Sequence, residues 1–172
     1  MLEFSEYEKA VDKYHSGLSI KRFPLIGWDF YLAVFDKYRM LLPDVALLTK
    51  MAAKNKWRDS WNFQNELANE SVIVVTDAKL KIVFASQNIV DMNGYTPNEV
   101  IGNSPKMFQG KLTDSKVSRE ISLSIKEQRS FSHTIYNYCK DGTLYKCHIK
   151  GYPIFDKKGK LTNFIAFEKI AA

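Results

Sequence analysis

The sequence predicts an α+β protein in which a helical N-terminal region precedes a five-stranded antiparallel sheet with short helices and one long helix. Two patterns support this class. Over 5–70 the apolar residues recur at helical spacing, whereas over 71–170 short β-branched runs alternate with Gly and Asp-Gly turns. The order of two strands, then helices, then three strands is typical of one compact domain. We therefore predict a helical region at 1–66 and a sheet domain at 67–172.

Four amphipathic helices are predicted in the N-terminal region. The first follows a capping box, in which Ser5 precedes Glu8 by three residues, and it ends at Gly17. Each helix has one apolar face, and the four faces are formed by Phe4, Tyr7, Val11 and Tyr14, by Phe30, Val34, Tyr38 and Leu41, by Val45, Leu48, Met51 and Ala52, and by Trp57, Trp61 and Leu67. We expect these faces to be packing surfaces.

Tight turns separate the predicted strands. SVIVVTD and KIVFASQ form a hairpin, and FSHTIYNYCK, LYKCHIKGYPIFD and LTNFIAFEKI form a meander that turns at Asp141-Gly142 and at a Lys-Lys-Gly sequence. Between the two groups, glycines and prolines interrupt short helical turns, and one regular helix begins near Asp114. Its Val117, Ile121 and Ile125 are spaced by four residues, which predicts that one face packs on a core.

The charge of the chain does not favour a nucleic-acid-binding protein. The formal net charge is +6, but residues 1–70 contain 10 Lys and Arg against 10 Asp and Glu, which leaves 15 against 9 in residues 71–172. DNA-binding segments usually carry a basic footprint, and the balanced charge of residues 1–70 argues against one. A transcription regulator with an N-terminal helix-turn-helix is nevertheless kept as an alternative. No stretch approaches the roughly 18 to 20 apolar residues that span a membrane. We expect a cytoplasmic protein that binds neither nucleic acid nor a membrane.

The second domain resembles the PAS sensory domains over about 67–170. Within that family it is similar to the LOV branch, the flavin-binding blue-light sensors, through four motifs: Asn93-Gly94-Tyr95, Glu99-Val100-Ile101-Gly102, Gln109-Gly110 and Asn137-Tyr138-Cys139-Lys140-Asp141-Gly142. The resemblance implies a PAS fold and a sensory or protein-interaction module in signal transduction, acting through a homodimer or a signalling partner. The sequence carries no enzyme motif, so we expect no catalysis.

Three departures from the LOV pattern concern the ligand. Ser104-Pro105-Lys106 stands where the pattern has Asn-Cys-Arg, and proline cannot form the thioether between cysteine and flavin. Cys147 aligns with the second of two flavin-binding asparagines, and Glu168 aligns with an inward glutamine. Haem-binding members place a histidine on the long helix, and residues 114–129 contain none. We expect neither flavin nor haem, and we keep a LOV-like flavin sensor without cysteine chemistry as the alternative.

Asn137 matches the first of the two flavin-binding asparagines of the LOV pattern. If it points inward, strand alternation divides the sheet into an inner and an outer face. The side chains that would then line a small-molecule cavity, together with Gln109, are Ile135, Asn137, Tyr145, Cys147, Ile149, Phe164 and Glu168. The outer face would carry an apolar interaction surface, formed by Tyr136, Tyr138, Ile165 and Phe167 opposite Trp57, Trp61 and Leu67. We also expect Glu168 to have a raised pKa or to pair with a cation such as Lys106.

Overall fold

A computed structural model of the chain describes residues 41–171, and it shows an α+β protein built on one antiparallel sheet, as predicted. The first predicted helix and most of the second lie outside these residues. The helices are α1 at 41–54, α2 (Phe63–Ala68), α3 (Ile89–Asn93), α4 (Pro97–Val100) and α5 (Ser115–Lys126), with a 3-10 turn at Pro105–Phe108. The strands are β1 (Val72–Asp77), β2 (Ile82–Ala85), β3 (Phe131–Tyr138), β4 (Leu144–Phe155) and β5 (Leu161–Ile170).

The five strands lie in the order β2-β1-β5-β4-β3, and every neighbouring pair is antiparallel. The predicted hairpin and meander are therefore confirmed. The central strand is β5, which joins the hairpin to the meander. Its register places Glu168 opposite Val72 on one side and opposite Ile149 on the other, so that this carboxyl lies in the interior of the sheet.

Each face of the sheet carries one hydrophobic core. The inner core packs against α3, α4 and α5, and its buried members include Val74, Ile89, Val100, Ile135 and Cys147. The outer core packs against the segment 41–68, and its buried members include Leu48, Trp57, Leu67, Ile73, Ile165 and Phe167. Complete burial of one large apolar side chain is worth about 1.5–3 kcal/mol. The segment 41–68, which we call the covering segment, is therefore part of the same folded unit as the sheet.

Local sequence signals set the ends of the helices. The Oδ1 of Asp114 caps α5 by accepting hydrogen bonds from the N–H groups of Lys116 at 2.7 Å and Val117 at 3.4 Å. Gly94 ends α3 with φ 77°, a left-handed conformation that a side chain would strain. Both helices pack against the inner face of the sheet through apolar residues of the inner core. No helix within 41–171 is long and apolar enough to cross a membrane.

The predicted fourth helix over 57–67 is wrong, because the chain leaves its helical path before Trp57. α1 ends in a Schellman motif, in which Lys56 adopts a left-handed conformation with φ 53° and the Trp57 N–H donates to the Ala52 carbonyl at 3.0 Å. Glycine usually occupies the left-handed position, so a lysine there gave no signal in the sequence. Only α2 is helical between α1 and the first strand.

Residues after the Schellman motif pair with the sheet instead. Trp57 forms an isolated β-bridge with Asp156, and the Arg58 N–H donates to the Phe155 carbonyl at 2.8 Å. The Arg58 guanidinium also lies 5.6 Å from the centre of the Phe155 ring. These contacts fix the covering segment to the hairpin between β4 and β5.

Candidate ligand cavity and covered sheet face

A cavity of about 120 Å³ lies between the inner face of the sheet and α5. Five of the predicted cavity residues line it, namely Gln109, Asn137, Ile149, Phe164 and Glu168. The other three are in the inner core and do not line the cavity: Ile135, Tyr145 and Cys147. Alternation along a strand identified the residues of the inner face. It did not show which part of that face borders the cavity and which part is packed against the helices.

Helix α5 and the 3-10 turn supply the opposite wall of the cavity. Ile121 and Ile125 of the predicted apolar stripe line it, together with Phe108. Ser118, which the sequence analysis did not single out, donates its hydroxyl to the Gln109 Oε1 at 3.1 Å. This hydrogen bond orients the Gln109 amide at the wall, so the cavity combines apolar walls with several fixed polar groups.

Glu168 places a carboxyl group at the cavity wall, where it is 5% exposed. Its Oε2 accepts a hydrogen bond from the Cys147 thiol, with 3.6 Å between sulfur and oxygen. Burial raises the pKa of Glu168 from an ordinary 4.5 to about 7. Within 41–171 it forms no ion pair with Lys106 or any other cation. The structure thus favours the raised pKa over the predicted cation pair.

Thr76 adds a polar atom without a partner. It is 6% exposed, it lines the cavity near the end of β1, and its Oγ1 has no hydrogen bond. A buried hydroxyl without a partner costs about 1–3 kcal/mol. A polar atom left in this condition at a cavity wall is available to a ligand, and no local pattern in the sequence indicates it.

Tyr145 and Cys147 make contacts inside the inner core and do not line the cavity. The Asn93 Nδ2 donates to the Tyr145 Oη at 3.4 Å. Burial raises the pKa of Tyr145 and of the Cys147 thiol, so both groups stay protonated at neutral pH. Cys147 therefore acts as a small core residue rather than as a nucleophile. No group of three or more His, Cys, Asp or Glu within 41–171 could hold a metal ion.

The covering segment supplies the aromatic part of the outer core. Trp57 and Trp61 meet edge to face with ring centres 6.2 Å apart, and Trp61 contacts Tyr152 at 6.5 Å between ring centres. The Tyr152 ring lies 6.0 Å from Phe167. The structure therefore brings the following members of the predicted interaction surface into one cluster: Trp57, Trp61, Leu67, Ile165 and Phe167.

Tyr136 and Tyr138 do not belong to that covered surface, which corrects the prediction. Both are on β3, the edge strand farthest from β1 and β2. Tyr136 is 43% exposed. The Tyr138 ring lies against Gly110, where a Cβ would come within 2.5 Å of it, and its Oη accepts from the Leu112 N–H at 2.9 Å. The outer core that the covering segment joins contains residues of β1, β2, β4 and β5 but none of β3. Alternation treats all strands alike, so it extended the predicted patch one strand too far.

Asn163 connects the cavity side of the sheet to the covering segment. It is 3% exposed, and its Nδ2 donates to the Thr76 carbonyl at 3.0 Å. Its Oδ1 accepts from the Asn55 Nδ2 and from the Trp57 Nε1, both at 3.0 Å. One amide thus links β1 beside the cavity to the end of α1. A polar residue on the outward, apolar side of β5 is the signal that could have identified it.

Asp44 anchors α1 at its other end. It is 1% exposed, and its Oδ2 accepts from the Gln87 N–H at 2.7 Å, just after β2. Burial raises the pKa of the Asp44 carboxyl, and the Gln87 hydrogen bond opposes that rise. Hydrogen bonds at Asp44 and at Asn163 therefore fix α1 across the outer face, and the sequence analysis missed both residues.

A larger groove of about 930 Å³ lies away from the cavity, along the edge where α1 and α3 approach the strand ends. Leu41, Val72, Val90 and Ile170 contribute to its walls. Val90 is 40% exposed and Ile170 is 60% exposed. The smaller cavity is the better candidate for a ligand site, because it encloses buried polar groups.

The chain belongs to the PAS domain family, whose sequence model matches residues 69–169. Protein TWIN LOV 1 of Arabidopsis thaliana is 41% identical over 88 residues, which cover 51% of this chain and 22% of that protein. Phototropin-2 of Oryza sativa subsp. japonica is 34% identical over 102 residues, which cover 58% of this chain and 11% of that protein. A blue-light-activated histidine kinase of Rhizobium johnstonii is 32% identical over 95 residues, 54% of this chain and 28% of the kinase. The chain thus matches only a minor part of these relatives' length.

Solved structures of LOV domains share the fold. One, described as "Flavin Analogue Sheds Light on Light-Oxygen-Voltage Domain Mechanism", superposes with a TM-score of 0.62 at 22% identity, over 66% of this chain and 87% of that chain. The light-state structure of the Aureochrome1 LOV domain superposes with a TM-score of 0.58 at 26% identity, over 66% of this chain and 90% of that chain. The five-stranded sheet with its short helices is therefore a PAS fold of the LOV type.

Proposed function

We propose that this PAS domain is a cytoplasmic sensory and protein-interaction module of signal transduction, which relays the state of its cavity to the covering segment. The observation that carries the proposal is Asn163, whose amide joins β1 beside the cavity to the end of α1 by three hydrogen bonds. A displacement of β1 or β5 at the cavity alters the geometry of these bonds. The output is then a change in how firmly the covering segment packs.

β5 provides a second, apolar connection between the same two sites. Phe164 and Ala166 line the cavity, while the residues between and after them, Ile165 and Phe167, are in the outer core. Side chains on opposite faces of one strand move together because the backbone between them is shared. Close packing on both faces transmits such a movement instead of absorbing it.

The relatives support a role at the input of signalling. One of them is named a blue-light-activated histidine kinase, and the match covers 28% of that protein. Its catalytic activity therefore does not transfer to this chain by similarity. We propose that this chain senses without catalysing a reaction and that it acts on a second copy of itself or on a signalling partner protein.

A flavin, which the LOV resemblance implies, does not fit the residues present. The cavity of about 120 Å³ is smaller than the roughly 300 Å³ at which pockets for drug-sized ligands begin. Glu168 brings a carboxyl group to the wall where the LOV pattern has an amide, and Pro105 offers no thiol. A yellow preparation after refolding with flavin would support the alternative of a flavin sensor without cysteine chemistry.

The relay can be tested by filling the cavity from within. Ala166→Val adds two methyl groups at the wall, and hydrogen exchange then measures the opening of α1 and the protection of the Trp57 indole N–H. We expect the exchange rates there to change by about five-fold, since couplings between sites are commonly 1–3 kcal/mol. Ala78→Val is the matched control, because it makes the same change at an exposed turn.

Asn163→Ala tests the path of the relay. In that background the effect of Ala166→Val on α1 should shrink, because the amide that connects the two sites is gone. The proposal is wrong if Ala166→Val leaves exchange in α1 unchanged. The proposed path is wrong if the effect is as large without Asn163 as with it.

A further inference from the structure

Glu168 is a buried carboxyl at the wall of a cavity with no cation beside it. Among residues 41–171 its hydrogen-bonding neighbour is the Cys147 thiol, a weak donor. Lys106 also contributes to the wall, but its side chain is exposed and it forms no ion pair with Glu168. Removing a carboxylate from water is costly unless a cation and further hydrogen bonds compensate it. The ionised form of this carboxyl therefore has no compensating cation among the described residues.

The remaining walls suit the organic part of a cation. Phe108, Phe131 and Phe164 line the cavity, and aromatic rings attract ammonium groups. A negative group and aromatic walls together select for a ligand with positive charge and a small apolar body.

The volume limits the size of such a ligand. The cavity of about 120 Å³ lies well below the roughly 300 Å³ at which pockets for drug-sized ligands begin. This size favours a short aliphatic amine over a nucleotide or a flavin. The pKa of Glu168, raised by burial to about 7, lets the carboxyl ionise when a cation enters.

We propose that the cavity binds a small aliphatic amine as its ammonium cation, with Glu168 as the counter-charge. This inference rests on the proposed sensory function, for which it supplies the chemical class of the ligand. The LOV resemblance does not suggest it, because Glu168 takes the place of a neutral glutamine in that pattern.

The test uses three probes that share one carbon skeleton: isobutylammonium, isobutanol and isobutyrate. Each is titrated into the full-length chain at neutral pH while the backbone amide signals are followed by NMR. We expect isobutylammonium to shift the signals of cavity residues saturably and to bind about ten-fold or more tightly than isobutanol, because a hydrogen bond between charged groups is stronger than one between neutral groups. Glu168→Gln should weaken amine binding by a similar factor. The control Glu127→Gln changes an exposed residue just after the end of α5 and should leave amine binding unchanged.

The proposal is overturned if isobutanol binds as tightly as the amine, if isobutyrate binds more tightly, or if no probe shifts the cavity signals saturably. If Glu168→Gln does not fold, the comparison of the three probes on the unaltered chain still decides. The Trp57 indole signal separates this inference from the relay. Amine binding that leaves this signal unchanged would support the ligand class and contradict the proposed function. If no amine binds, the ligand class is wrong, and the relay is then judged by the Ala166→Val experiment alone.

Discussion

Protonation of Glu168 is coupled to folding, because the carboxyl is buried in the native sheet and exposed to water in the unfolded chain. Its pKa rises from an ordinary 4.5 to about 7 on folding, so the native state holds its proton more tightly. The stabilising contribution of the protonated form is complete below pH 4.5 and is lost as the pH rises through about 7. A pKa difference of this size is worth about 3 kcal/mol.

Replacing Glu168 with glutamine should remove this pH dependence. Near pH 4.5 the two side chains are both neutral, whereas at about pH 8 the wild type has lost about 3 kcal/mol that the variant retains. We therefore expect the free energy of unfolding of Glu168→Gln, relative to that of the wild type, to be higher at about pH 8 than near pH 4.5, as measured by urea unfolding. Asp44, whose pKa is also raised, titrates in both proteins and cancels in the difference. An equal gain in the exposed control Glu127→Gln would contradict the assignment to Glu168.

Asn163 satisfies three polar groups at once, so its loss should be costly. Asn163→Ala leaves the Trp57 indole N–H and the Thr76 carbonyl without this partner inside the core. We expect a loss of about 2–4 kcal/mol in the free energy of unfolding, because each buried group left unsatisfied costs about 1–3 kcal/mol. Asn103→Ala, which removes one hydrogen bond at an exposed turn, should cost less than about 1 kcal/mol. Equal losses in the two variants would mean that the buried connection contributes little.

The face of the sheet on which a side chain lies was predictable from the alternation of residues along each strand. Ile149, Phe164 and Glu168 line the cavity on the face that alternation indicated. Thr76 and Asn163 were not predictable, because their roles depend on which groups stand opposite them across β1, β5 and the end of α1. Such contacts join positions far apart in sequence, and a local pattern does not carry them.

Among the elements, the strands were predicted well because tight turns with glycine or Asp-Gly separate them. Gly142 at φ 86° and Gly159 at φ 80° occupy the two turns of the meander. The fourth helix failed because the end of α1 is a lysine in a left-handed conformation, which sequence propensity disfavours. Pairing of Trp57 and Arg58 with the β4–β5 hairpin decided the path of the chain there.

Removing the covering segment should expose the outer core. Deletion of residues 1–66 uncovers Ile73, Ile165 and Phe167, which are each 7% exposed or less in the structure. We expect the truncated sheet domain to fold and then to self-associate or precipitate, because large apolar patches rarely remain in water. Light scattering coupled to gel filtration measures this, with circular dichroism to establish folding.

Deletion of residues 1–40 is the matched control, because it retains the whole covering segment. We expect it to associate less than the longer deletion at the same concentration. A soluble and monomeric 67–172 fragment, as stable as the full chain, would show that the outer face does not depend on residues 41–66.

At the scale of the whole molecule, the net charge is concentrated in one part of the chain, whereas the buried core contains residues from most of the described helices and strands. The excess positive charge of +6 lies entirely in residues 71–172, where 15 Lys and Arg stand against 9 Asp and Glu. Burial indicates one cooperative unit, because the outer core contains residues from α1, from the link after it, from α2 and from four strands of the sheet. The covering segment and the PAS sheet therefore should not unfold separately.

Unfolding in urea tests this unity. In a Trp28→Phe background the remaining tryptophans are Trp57 and Trp61, so their fluorescence reports the covering segment, whereas far-ultraviolet circular dichroism reports the sheet and helices together. We expect the two transitions to coincide, as they do for two-state domains, and Trp61→Ala to shift both by the same amount, about 2 kcal/mol for a partly buried tryptophan. A fluorescence transition that comes first would show that the covering segment detaches while the sheet remains folded. The segment would then respond to the cavity by local release, and Asn163 would couple two separate units instead of two parts of one.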